Sequence, residues 1–130
     1  MTLEDRLAIT DLIALHGHYV DAGELDRVRE LFTEDIRYDT TDLGGGVIVG
    51  LGPLREAALA LGDGNPVGHH VTNVVITDVD GDEAHAVSKG IGINADGTCG
   101  SVTYEDTLVR GENGWRISRR RIRLRRVPLG

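Results

Sequence analysis

Apolar positions change their period once along this chain. Near the N-terminus Ile9, Leu12, Ile13 and Val20 recur every three or four residues, with His16 on the same stripe, which predicts one face of an amphipathic helix. Thr2, with Asp5 three residues on, forms a capping box at its start, and Asp21-Ala22-Gly23 ends it. Leu25, Val28, Leu31 and Phe32, with acidic Glu24 and Asp26 suiting the first turn, predict a second short helix. Ile36 to Thr40 reads as a short strand, Gly44-Gly45-Gly46 as a loop and Val47 to Val49 as a strand stub. Pro53 suits the first turn of a third helix, Leu54 to about Leu61, with Gly62 past its end.

After Pro66 the period falls to two. Asp80-Gly81, Asp96-Gly97 and Asn113-Gly114 are hairpin-turn dipeptides, and they divide the rest into four long strands at about 68–78, 83–94, 98–110 and 114–126. In the second of these, Ala84, Ala86, Ser88, Gly90 and Gly92 share one face, and Val87, Ile91 and Ile93 share the other. A row of small residues leaves room above a sheet and also permits strong curvature. In the last strand Trp115 and Ile117 fall on one parity and Ile122 and Leu124 on the other, so a bulge is expected near Arg119–Arg121. The expected fold is α+β: one domain over residues 1–130, a strongly bent antiparallel sheet covered by three N-terminal helices. Such a cone encloses a natural pocket for a small apolar ligand.

Composition narrows the function. The chain has 130 residues, 40% hydrophobic and 27% charged, enough for one core and too few for two ordinary domains. A lone Cys99 excludes an internal disulfide and a cysteine-based zinc site. The net charge of −7 argues against nucleic-acid partners. Seven of the 14 basic residues, all arginines, fall in the last fifteen positions, where they offset an acidic body within the chain or across a dimer. No apolar run approaches the roughly 20 residues of a membrane span, and the acidic Met1-Thr2-Leu3-Glu4-Asp5 lacks the features of a secretory signal. The expectation is a cytoplasmic protein without membrane or nucleic-acid partners.

The residues able to carry chemistry cluster around histidine. His16 lies on the apolar face of the first helix and should point inward. His69 and His70 open the first long strand and point to opposite faces, so one of them should look into the pocket. His18 and His85 should face solvent. Asp21 either terminates the first helix or projects under the sheet toward a strand histidine. An Asp–His pair is an acid/base unit, because the carboxylate fixes the tautomer and stabilises the imidazolium. Tyr38, Tyr104 and Asp106 are candidate polar groups of the pocket. The sequence has no nucleophile elbow and no phosphate-binding glycine loop before a helix, and His16, His70 and Asp21 lack a metal-site spacing motif.

Three segments resemble the SnoaL-like branch of the nuclear transport factor 2-like superfamily. They are Asp11-Leu12-Ile13 through Tyr19-Val20-Asp21-Ala22-Gly23-Glu24-Leu25-Asp26 to Leu31-Phe32-Thr33-Glu34-Asp35, then His69-His70-Val71-Thr72-Asn73-Val74-Val75-Ile76, then Tyr104-Glu105-Asp106 with Asn113-Gly114-Trp115-Arg116-Ile117. The resemblance implies a cystatin-like α+β barrel, an apolar pocket and a homodimer through the outer face of the sheet. It also implies a cofactor-free, metal-free dehydratase, cyclase or isomerase acting on a small apolar oxygenated molecule, such as a polyketide or aromatic intermediate. By the same resemblance His70 is the acid/base, Asp21 its orienter or partner, and His16 an oxyanion donor or second acid standing where related dehydratases carry a tyrosine. A non-catalytic small-molecule-binding or assembly module of the same fold is the alternative.

Overall fold

A computed structural model describes residues 1–130. Helix α1 (Leu3–Asp21) starts at the predicted cap: Thr2 Oγ1 accepts the Asp5 N–H at 3.1 Å, and the Asp5 carboxylate accepts the Thr2 N–H at 3.2 Å. Asp5 also accepts from Trp115 Nε1 at 3.0 Å and from Arg110 at 3.2 Å, which ties the helix start to the far end of the sheet. These bonds, led by that from Trp115, hold the Asp5 carboxyl down at about 2.

The strands are β1 (Phe32–Asp39), β2 (Val47–Val49), β3 (Gly68–Asp80), β4 (Glu83–Ile93), β5 (Cys99–Gly111) and β6 (Gly114–Leu124), with helix α2 (Leu51–Leu61) between β2 and β3. They form one sheet in the order β2-β1-β6-β5-β4-β3. The four long strands end within two residues of the positions set by the three turn dipeptides. The row Ala84, Ala86, Ser88 and Gly90 is buried on the concave face, as its small side chains suggest.

Three features differ from expectation. The second helix is a 3₁₀ stretch, Leu25–Glu30, and Phe32 already belongs to β1. Gly23, at φ +72°, turns the chain sharply just before it, and only eight residues separate Gly23 from the strand, too few for a stable α-helix. The sheet is mixed, because β1 runs parallel to β6, with Tyr38 opposite Arg120. It is also open, with β2 and β3 as edges, rather than a closed barrel.

Bulges decide which side chains face inward. In β6 the pairing steps from Leu108–Ile117 to Thr107–Arg119, so Ser118 is the extra residue. Beyond it inward parity passes to Arg120 and Ile122. In β3 the register shifts twice, once around Asn73 at φ +57° and once around Thr77; each adds one residue to β3, so the offset reaches two and the inward parity is restored.

The core lies between α1 and the concave face, with Ile9, Ile13, Phe32, Ile36, Leu108 and Ile117 almost fully covered. No residue of α2 is fully buried; its Leu54, Ala58 and Leu61 side walls a cavity instead. Gly17 lets α1 approach β3 closely, since a methyl group there would collide with the carbonyl oxygen of His69. Glycine to alanine within a helix ordinarily stabilises by about 1 kcal/mol. We expect Gly17→Ala to destabilise instead, by about 1–3 kcal/mol, because the clash is with backbone. Urea unfolding checks this; an unchanged or raised midpoint would show that the helix can move off β3 at little cost.

Candidate active site

The cavity under α2 has a volume of about 310 Å³, and fourteen of its 21 lining residues are hydrophobic. Its polar side chains include His16 from α1, Tyr38 from β1, His69 from β3 and Tyr104 from β5. His16, Tyr38 and Tyr104 are each buried, and so lie at its depth.

Asp21, the last residue of α1, reaches β3. Its carboxylate accepts the His69 backbone N–H at 3.1 Å and lies 2.7 Å from His69 Nδ1. Side-chain exposure is 17% for His69 and 31% for Asp21, so the pair sits at the cavity edge. A carboxylate beside Nδ1 fixes the tautomer with the proton there and leaves Nε2 as the basic nitrogen.

The pair expected between Asp21 and His70 is therefore not formed. His70 is exposed and shares its face with Gly68, whereas His69 lies opposite Gly92 on the small-residue face of β4. The strand pleat sends the two rings to opposite sides, and the close contact at Gly17 brings His69 to the end of α1. Counting back across the Asp80-Gly81 turn from the row Ala84–Gly92 gives odd numbers in β3, which holds at Val71 and His69, whereas between the two bulges the even-numbered Val74 and Ile76 face the core; the count reaches His69 because the bulges number two.

His16 is fixed in the opposite sense. Arg120 Nη1 donates to His16 Nδ1 at 3.1 Å. A guanidinium cannot accept, so neutral His16 carries its proton on Nε2 and offers it as a donor. Burial, reinforced by the charges of Arg120 and His69, pushes the His16 pKa well below its usual value, and the ring stays neutral.

Arg120 is the functional residue that sequence reasoning missed. It and Asp106 are fully buried and make a two-pronged pair, Nε–Oδ1 at 2.7 Å and Nη2–Oδ2 at 2.9 Å. Burial opposes the guanidinium charge, but Asp106 outweighs it and raises the Arg120 pKa. The guanidinium lies 4.3 Å from the Tyr104 ring centroid and 5.7 Å from that of Phe32. Asp106 accordingly stands behind the cavity as the partner of Arg120 and does not line it. Tyr38 and Tyr104 do line it, and burial raises both phenol pKa values and keeps the hydroxyls protonated. On the outer face Arg121 and Arg123 each lie 3.9 Å from Glu105. His85 pairs with Asp78 at 3.0 Å there, partly exposed. No three His, Cys, Asp or Glu side chains converge as a metal site would require.

The profile of the SnoaL-like domain matches residues 1–121. The chain belongs to the SnoaL-like domain family. An uncharacterized Mycobacterium tuberculosis protein, Rv2910c, is 33% identical over 127 residues, covering 91% of this chain and 84% of that one. Among solved structures, a Novosphingobium aromaticivorans protein provisionally named an aromatic ring hydroxylase is 30% identical with a TM-score of 0.82, over 98% of this chain and 93% of that one. A second protein from that organism, provisionally named a scytalone dehydratase, matches in fold, with a TM-score of 0.75 at 20% identity over 96% and 89% of the two chains. This SnoaL-like chain thus has the fold of a small-molecule-binding or enzyme-like domain, and no helix long and apolar enough to cross a membrane.

Two measurements probe the buried cluster. Arg120→Met leaves Asp106 charged and unpaired, and should cost about 3–5 kcal/mol in chemical unfolding, whereas adding Asp106→Leu should recover much of that loss. The double variant being as unstable as the sum of the singles would refute a coupled pair. The second measurement concerns pH. Unfolded His16 takes up a proton as pH falls through its ordinary 6.5, while folded His16 does not. The unfolded state then binds more protons, so this contribution is complete above that pH and is lost on acidification below it. Between pH 7.5 and 5.5 the wild type should lose more stability than His16→Gln, whose amide oxygen can still accept from Arg120.

Proposed function

We propose that this SnoaL-like protein is a cofactor-free acid/base enzyme that removes a proton next to the carbonyl of a small, largely apolar molecule. One observation carries the reading: two cavity histidines are held in opposite tautomers. Asp21 directs the His69 proton to Nδ1 and leaves Nε2 as base; Arg120 occupies His16 Nδ1 and leaves Nε2–H as donor.

In this scheme the substrate carbonyl oxygen accepts from His16 Nε2–H. His69 Nε2 takes the α-proton, the C–H electron pair moves toward the carbonyl, and the resulting enolate oxygen is held by His16. Asp21 stabilises the imidazolium that forms. Return of the proton to another carbon gives isomerisation. Transfer of the proton to a departing β-hydroxyl gives dehydration, with water as the product. The buried Tyr38 and Tyr104 hydroxyls are further donors along the wall. The apolar lining suits an aromatic or polyketide-like body, in keeping with the ring chemistry named for the Novosphingobium relative.

The test does not need the natural substrate. NMR follows deuterium exchange from solvent into the α-carbon of 2-tetralone, a bicyclic ketone. The wild type should accelerate exchange over buffer. His69→Ala should lower the enzymic rate by about 10²–10⁴. Asp21→Asn should impair the same step, and the two losses should be strongly non-additive. His70→Ala should leave the rate unchanged, because that ring faces away. Exchange no faster than in buffer, or unaltered in His69→Ala, would overturn the proposal; saturable binding without exchange would favour the binding-module alternative.

A further inference from the structure

We propose that Arg55 is the anion-recognition residue of the cavity, and that the ligand is an amphiphile: an apolar ring body carrying a carboxylate at the end nearest α2. The assignment rests on reading this cavity as the substrate site.

Apart from the two histidines, Arg55 is the one formally charged side chain among the 21 lining residues. It projects from α2, in the wall made by Leu54, Ala57 and Ala58, and its side chain is 47% exposed. It therefore stands at the mouth, whereas His16, Tyr38 and Tyr104 lie at the depth. Arg55 also borders a smaller outer hollow shared with Asp26 and Glu34. Its ion-pair partner is Asp26, 71% exposed, with Oδ1 3.0 Å from Nε. That contact is an ion pair without hydrogen-bond alignment, and the terminal Nη groups donate to no protein acceptor. Two parallel N–H groups on a planar fork match the two oxygens of a carboxylate, so the unoccupied edge is suited to an anion rather than to a neutral carbonyl.

The electrostatic setting sharpens this. With a net charge of −7 the molecule repels anions at long range, so any anion preference of the cavity has to come from a local cation. Arg55 is that cation, and Asp26 competes with the ligand for it. The two polar ends of the cavity then recognise different groups: a carbonyl oxygen at the depth, through His16, and a carboxylate at the mouth, through Arg55. Apolar wall residues such as Leu25, Val28 and Leu54 hold the body between them. A ligand of this shape enters in one orientation only, with its reactive carbonyl leading.

Matched probes test the assignment: 2-naphthoate and 2-naphthamide share a ring system and differ in charge. Their affinities are measured by calorimetry at low salt for wild type, Arg55→Gln and Asp26→Asn. The wild type should prefer the carboxylate by about tenfold, the effect of one charge-assisted contact. Arg55→Gln should abolish that preference with little change for the amide. Asp26→Asn should increase carboxylate affinity by removing the competitor. Equal affinities in the wild type, a preference that survives in Arg55→Gln, or no binding of either probe would overturn the assignment. Neither probe has a proton that the histidines could remove as they would from 2-tetralone, so these measurements report recognition alone. The exchange assay reports proton transfer alone, and either reading can fail without the other.

Discussion

The buried pair of Arg120 and Asp106 is the constraint on which the rest of this molecule depends. Each charge, alone at that depth, would cost several kcal/mol to desolvate. Together they satisfy two aligned hydrogen bonds, and what remains of the guanidinium is spent on His16 and on the faces of Tyr104 and Phe32. Asp106 comes from β5, Arg120 from β6, Phe32 from β1 and His16 from α1. A single guanidinium thus links the helical layer to three adjacent strands. It needs a parallel β1 beside β6 and a bulge at Ser118 to aim it inward. The two features that make this sheet irregular are those that bring the cation into the core.

The same cation turns an ordinary core histidine into a directed one. Buried among apolar side chains, an imidazole stays neutral with either tautomer open to it; with Arg120 on Nδ1 only one is available. At the other histidine the agent is a carboxylate, and the outcome is reversed. The cavity therefore presents a donor nitrogen and a basic nitrogen at once, without asking either ring to carry a permanent charge. The supporting groups sit outside the cavity lining, so the polar positions within it stay free for a ligand while their orientation is fixed from behind.

Much of this was legible in the residues, and the limits are physical. Cap, turn and period are local signals, so α1 and all four long strands could be placed from Thr2-x-x-Asp5 and three turn dipeptides. The inward row Ala84–Gly92 follows from alternation alone. Non-local pairing has no such signature: nothing within Phe32–Asp39 states that it will lie parallel to a strand some eighty residues later. Parity past a bulge is intermediate. The shift between Trp115 and Ile122 is visible in the sequence, and following it one residue further would have turned Arg120 inward, away from the exposed run of arginines around it. The choice between His69 and His70 failed for a related reason. Resemblance at the strand start points to His70, and a count from the Asp80-Gly81 turn reaches the inward His69 only because two bulges in β3 restore the parity.

Position 16 shows how a departure from a family pattern can be absorbed. The resemblance to SnoaL-like dehydratases implies a tyrosine there, and a phenol is a donor at neutral pH without help. A histidine is not: it can titrate, and when neutral it can present the wrong nitrogen. Burial removes the first difficulty by depressing the pKa, and the Arg120 contact removes the second by occupying Nδ1. Both remedies require Arg120 to stay charged in the core, which in turn requires Asp106. The carboxylate that alternation placed on the same face as Tyr104 thus acts at a distance of two side chains. It keeps the arginine charged, the arginine keeps the histidine in one tautomer, and in the proposed mechanism the histidine then offers the proton that the resemblance would assign to a tyrosine.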